Sequence, residues 1–157
     1  GNQGCNGGLM DNGFQYIEKN GITTESSYPY TGTDGTCKSF SAAVQISGFT
    51  DVPSKSLSGL ETAVSGQPTS VAVDAAGSGW QLYSGGVYSG GLFGCGQQLD
   101  HGVLAVGYDN DGGYWKIKNS WGTTWGEQGY IRLKKTSDAT GAGTCGLALQ
   151  ASYPQAA

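Results

Sequence analysis

The sequence predicts an α+β fold, with a helical remnant over residues 1–45 followed by a mostly antiparallel β domain over residues 46–157. Three observations carry this. Leu9, Met10, Phe14 and Ile17 fall on one helical stripe near the start. Near residue 45 the composition shifts to short runs rich in Val, Ile, Tyr and Trp. The 29 glycines follow no collagen period and are interleaved with those runs, which suits many short strands joined by tight turns.

Each element has its own signal. Gly4-Cys5-Asn6-Gly7-Gly8 is a loop in which adjacent glycines supply positive φ or let another backbone come close. The stripe predicts a helix from Leu9 to Lys19, stopped by Asn20-Gly21. Residues 23–43 are turn-rich, with Tyr28-Pro29-Tyr30 and Asp34-Gly35. Leu57, Leu60 and Val64 are in step for a short helix from Leu57 to Val64. Strands are predicted at Ser70–Asp74, Gly102–Tyr108, Tyr114–Lys118 and Gly129–Leu133, and the run Asp109 to Gly113 makes a hairpin turn. Residues 135–144 are a polar loop, and no internal repeat is visible.

Composition excludes several classes. Net charge is −4, and the eight Lys and Arg residues do not cluster along the sequence, which argues against a nucleic-acid or anionic-membrane surface. No apolar run reaches the roughly 18 residues that a membrane span needs. The chain begins at Gly1 without an initiator Met, which suggests a processed product or a fragment, and no signal peptide is visible at its start. Cys5, Cys37, Cys95 and Cys145 have no C-x-x-C or His neighbour at metal-ligand spacing, so no metal or other cofactor is expected. Disulfides in an oxidising compartment are the better reading, and four cysteines leave three connectivities open.

Two features could carry chemistry. The single histidine, His101, stands in Leu99-Asp100-His101-Gly102 at the mouth of an apolar strand. An imidazole there can act as acid or base; a lone histidine is more often structural. The second feature is Lys118-Asn119-Ser120-Trp121-Gly122, which continues into Trp125-Gly126-Glu127-Gln128-Gly129-Tyr130. An amide oxygen can hold the second nitrogen of an imidazole, and an indole over that bond keeps water from competing. Taken alone, Trp121 and Trp125 would be core aromatics and Asn119 a turn residue.

Together these features resemble the papain-like cysteine proteases, closest to the cathepsin L type. The resemblance rests on Asp100-His101-Gly102-Val103, on the run Lys118 to Tyr130, on Gly4-Cys5-Asn6-Gly7-Gly8-Leu9-Met10, and on Cys145-Gly146-Leu147-Ala148 through Ala151-Ser152-Tyr153-Pro154. It runs in the family's order from Gly1 to about Pro154. It implies an incomplete papain-like two-domain fold and cysteine endopeptidase chemistry. His101 would be the base and Asn119 its orienter, with Trp121 shielding their contact.

The nucleophilic cysteine has no counterpart here. The family's separation of about 130–150 residues between nucleophile and histidine would put it roughly 30–50 residues before Gly1. By the same resemblance Cys95 and Cys145 pair with each other. Cys5 and Cys37 would each pair with a cysteine of that upstream segment, so neither is expected to be a nucleophile.

Substrate contacts carry over residue by residue. Gly7 and Gly8 match the backbone strip that bonds an extended peptide. Met10, Ala72 and Leu99 match the walls of the pocket for the second residue before the scissile bond, and Gln150 matches its floor. Three apolar walls imply a preference for Leu or Phe there over Arg. Peptide or protein substrates, cystatin-type or propeptide inhibitors, and a lysosomal, vacuolar or secreted location are implied as well. Asp100 would bias the active-site charges or play a structural part. The competing readings are a catalytically inactive homologue acting as a binding or decoy protein, and a carbohydrate-binding β module. The fragment alone is expected to be inactive, with the apolar face of its first helix exposed.

Overall fold

Asn2 and Gly21 set the limits of the first helix. In the computed structural model, which describes residues 1–157, α1 spans Met10–Asn20. No side chain caps it from the usual position. Instead the Asn2 side-chain oxygen accepts the Leu9 N–H at 2.8 Å and an N–H of the Asn12 side chain at 3.2 Å. Gly21 adopts φ +72° and donates its N–H to the Ile17 carbonyl at 2.7 Å, so the Asn-Gly stop works as the sequence indicates. The amide of Gln45 donates to the freed Glu18 carbonyl at 2.6 Å. No residue of α1 is fully buried, and Leu9 and Tyr16 are exposed.

The chain divides into two compact units. One comprises Gly1–Thr50 and Pro154–Ala157, and the other Asp51–Tyr153. The first holds α1, the Ile22–Val44 bridge and a stacked Phe14–Phe49 pair at 5.8 Å.

The second unit holds the hydrophobic core. Helix α2 (Leu57–Gly66) is capped by Ser56, whose Oγ accepts the Gly59 N–H at 3.1 Å. Its buried face is Leu57, Leu60, Ala63 and Val64, the predicted stripe with Ala63 added. The strands of the whole chain are β1 (Ile46–Val52), β2 (Thr69–Val73), β3 (Val87–Tyr88), β4 (His101–Asp109), β5 (Tyr114–Lys118), β6 (Tyr130–Lys134) and β7 (Ala151–Ala156), of which β2 to β6 lie wholly in the second unit. They form one sheet in the order β1-β7-β2-β4-β5-β6-β3. The β2–β4, β4–β5 and β5–β6 pairs are antiparallel, and β3 runs parallel to β6. Trp80, Trp115, Leu60, Ile117, Ile131, Leu133 and Leu147 are fully buried. Each such side chain stabilises the fold by roughly 1.5–3 kcal/mol.

The α+β class therefore holds, and the four predicted strands exist within a residue of their predicted limits. Four elements lacked a sequence signal. The strand β7 carries Pro154, β1 mixes Gly and Asp with its apolar residues, β3 has only two residues, and helix α3 (Ser78–Gln81) is one turn long.

Strand alternation also gathers charges that look scattered in sequence. Lys116 stands opposite Arg132, with Lys118 and Lys134 on the same outward face of the β5–β6 hairpin. The cations divert onto rings, Lys116 over Tyr130 at 5.0 Å and Arg132 over Tyr114 at 5.1 Å.

Candidate active site

Register puts the two chemically interesting side chains on one face. Leu104 of β4 pairs with Lys118 of β5, so the next residue, Asn119, shares strand parity with Val103 and His101. The result is an Nε2–Oδ1 separation of 2.8 Å between His101 and Asn119. An amide oxygen only accepts, so Nε2 of the imidazole carries the proton. The Ser120 N–H donates to the same Oδ1 at 2.8 Å, and the Asn119 N–H donates to the Gly129 carbonyl at 3.0 Å. Turning the amide over would point its NH2 at the Ser120 N–H, so the backbone fixes which end faces the histidine. Asn119 is buried, and its Nδ2 has no hydrogen-bond partner. That unsatisfied donor is a local cost of holding Oδ1 in place.

Nδ1 of His101 is left with its lone pair available to accept a proton. Trp121 lies against the imidazole, with ring centres 5.0 Å apart and planes tilted by 32°. Its indole is partly exposed and meets Trp125 edge-on at 5.4 Å. Trp125 in turn packs on Trp80 and Tyr83 and donates its Nε1–H to the Gln81 carbonyl at 3.1 Å. Asp100 is occupied by the backbone, its Oδ1 accepting the Ala75 N–H at 2.8 Å.

Each unit gathers its own share of the expected peptide-binding residues. Gly7 and Gly8 are exposed in the loop before α1, and Met10 opens that helix half-buried. In the second unit the Ala72 N–H donates to the Gln150 carbonyl at 3.0 Å. Ala72 is buried, and Leu99 and Gln150 are half-buried. Cys95 and Cys145 form a disulfide, whereas Cys5 and Cys37 are free and exposed. Asp34 beside Cys5 pushes that thiol's pKa up, chiefly by accepting its hydrogen bond, which makes a poor nucleophile.

Two groups escaped the sequence reading. Asp74 is a buried carboxylate whose Oδ2 accepts the N–H of Gly96 at 2.8 Å and of Gln98 at 3.3 Å, holding the loop after Cys95. Glu127 and Arg132 form a two-point ion pair at the end of the loop from Asn119 to Gly129. The Trp-Gly-Glu triplet was visible, but nothing in sequence spacing pairs it with an arginine five residues on.

A histidine held by a buried amide and packed against an indole, at the mouth of an antiparallel sheet, is an arrangement chemically able to move a proton at Nδ1. The model of the papain family cysteine proteases matches residues 1–155. The cysteine proteinase COT44 of Brassica napus is 53% identical over 98% of this chain, which covers 47% of that protein. Among solved structures, bromelain from Ananas comosus in complex with the E64 inhibitor has a TM-score of 0.89 and 40% identity, over 99% of this chain and 73% of bromelain. The proform of the ragweed pollen allergen Amb a 11 has the same TM-score of 0.89 at 41% identity, over 99% of this chain and 48% of its own. The chain belongs to the papain family of cysteine proteases. It spans about half the length of the curated relatives it matches.

Proposed function

We propose that the protein is a cysteine endopeptidase in which His101 is the general base and acid, Asn119 its orienter and Trp121 its shield. The observation that carries this is the 2.8 Å contact from His101 Nε2 to an Asn119 oxygen whose orientation the Ser120 N–H fixes. With Nε2–H committed, Nδ1 faces the chemistry. It takes the proton of a cysteine thiol, and the thiolate attacks the peptide carbonyl. The imidazolium then returns the proton to the departing amine, and water releases the acyl group with His101 again as base. The thiol comes from the part of the protein outside these 157 residues, as does a disulfide partner for each of Cys5 and Cys37.

Residues 1–45 and 46–157 are assigned to the family's helical and β-rich domains. Gly7 and Gly8 bond the substrate backbone. Met10, Ala72, Leu99 and Gln150 select an apolar side chain two residues from the cut, since none of them offers a carboxylate to an arginine. Inhibition by E64, regulation by a propeptide or a cystatin-type protein, and a lysosomal, vacuolar or secreted location belong to the same proposal. No helix is long and apolar enough to cross a membrane.

The test is hydrolysis by the whole protein of matched peptides with Leu, Phe or Arg at that position, with and without E64. Cleavage of the Leu and Phe peptides, blocked by E64 and by His101→Ala, is expected. No cleavage by the whole protein, or a strong preference for Arg, would overturn the corresponding part.

A further inference from the structure

The roof over His101 is a relay of rings, and its far end is held by charge. Trp121 covers the imidazole, Trp125 braces Trp121, and Trp125 sits against Trp80 and Tyr83 with its N–H on Gln81. The loop bearing both tryptophans is unusual in backbone terms. Gly122, Gln128 and Gly129 all have positive φ, at 82°, 55° and 91°. For Gln128 this is a strained conformation that something must hold.

The holding contacts converge on Glu127. Its backbone exchanges hydrogen bonds with Tyr130 at 2.9 and 3.1 Å. Its Oε1 accepts Arg132 Nη2 at 2.7 Å and the Gly86 N–H at 2.9 Å, and its Oε2 accepts Arg132 Nε at 2.9 Å. Gly86 belongs to the segment that cups Trp125, because its carbonyl accepts the Tyr83 hydroxyl at 2.6 Å. One carboxylate thus ties the tryptophan loop, the Tyr83–Gly86 segment and β6 together. A two-point arginine–carboxylate pair resists rotation as a single contact does not.

We propose that Glu127 is a positioning residue of the active site: clamped on Arg132 and the Gly86 N–H, it holds the Trp121–Trp125 roof that keeps water from the His101–Asn119 hydrogen bond. It touches no reacting atom. The proposal rests on the reading of His101 and Asn119 as base and orienter, but its test needs no peptidase activity.

The readout is the His101 Nε2–H, followed in the intact protein by proton NMR as a downfield resonance whose exchange with water measures how well the roof excludes solvent. Glu127→Gln keeps the side-chain size and loses the charged clamp, and it is expected to speed exchange by about tenfold. Arg132→Lys keeps the charge and loses the fork, and serves if the first variant folds poorly. Glu61→Gln is the control. It removes a one-point ion pair, to Lys135 at 2.9 Å, whose carboxylate also accepts from Asn110 and not from the tryptophan loop. Exchange within about twofold of wild type in both clamp variants, or an equal acceleration by Glu61→Gln, overturns the proposal. So does a wild-type resonance that already exchanges too fast to observe. Lack of hydrolysis by the wild-type protein would count against the peptidase reading and leave this measurement standing.

Discussion

His101 Nε2 and the Ser120 N–H both point at one oxygen of Asn119, each at 2.8 Å. The amide is therefore locked by its own backbone before it meets the histidine. On the proposed roles, Asn119→Ala in the whole protein should lower kcat/KM by about 10- to 100-fold, because it would remove orientation and leave the proton acceptor in place. His101→Ala removes the acceptor itself and should cost about 10⁴-fold or more. Steady-state kinetics on a single peptide would compare them. Equal losses would mean that Asn119 does more than orient.

Gly126 is a second constraint on the same loop. It has φ +57°, and an added Cβ would stand 2.5 Å from the Tyr130 carbonyl oxygen and 3.0 Å from the Tyr83 ring. Gly126→Ala should destabilise the protein by about 1–3 kcal/mol from backbone strain alone, with the close contact adding to it. Chemical denaturation would measure the loss. A near-neutral result would show that the loop shifts freely, which also bears on how tightly Glu127 can hold it.

How much of this was legible in sequence differs by element. The periodicities of Leu57–Val64 and Tyr114–Lys118 identified real elements because their apolar positions face a core. The histidine and asparagine were recognisable from the motifs around them. Their contact was expected only through the family resemblance; what produces it is the register that sets Leu104 opposite Lys118, which sequence spacing does not give. The same blindness hid the basic face of the β5–β6 hairpin, where residues 16 apart in sequence are direct cross-strand neighbours. Asp74 and Glu127 were missed for a related reason. Asp74 binds backbone N–H groups and Glu127 binds one beside Arg132; every sequence supplies such groups at every position, and only the fold selects among them.

Two surface carboxylates make stability depend on acid. Arg132 holds the Glu127 carboxyl below the usual carboxylate range, and the Gly86 N–H adds to this. Lys135 does the same for Glu61, helped by Asn110. A group whose folded pKa lies below its unfolded value adds stability that is complete above the unfolded pKa. That stability is lost as pH falls through the folded one. The melting temperature should therefore hold from neutrality to about pH 5 and fall below it. Glu61→Gln and Glu127→Gln should each flatten the fall while lowering the neutral value. Unchanged acid-side slopes in both variants would remove these carboxylates from the account.

The disulfide supplies the last prediction. Cys95 and Cys145 close a span of 50 residues within the unit Asp51–Tyr153, and Cys145 itself is buried beside Leu147 in the core. Tethering a loop of that length restricts the unfolded chain by about 4 kcal/mol in the chain-entropy model. The unit Gly1–Thr50 has no such tether, and its two cysteines, Cys5 and Cys37, are free and exposed. Limited proteolysis of the 157-residue chain should therefore cut first in the turn-rich stretch 23–43 and leave a resistant product covering Asp51–Tyr153. Replacing both Cys95 and Cys145 by Ser should abolish that resistance, because the unit then depends on its core alone. If the double variant keeps the same resistant product at the same protease concentration, the buried residues around Trp80, Trp115 and Ile131 suffice, and the bridge is not what holds the unit together.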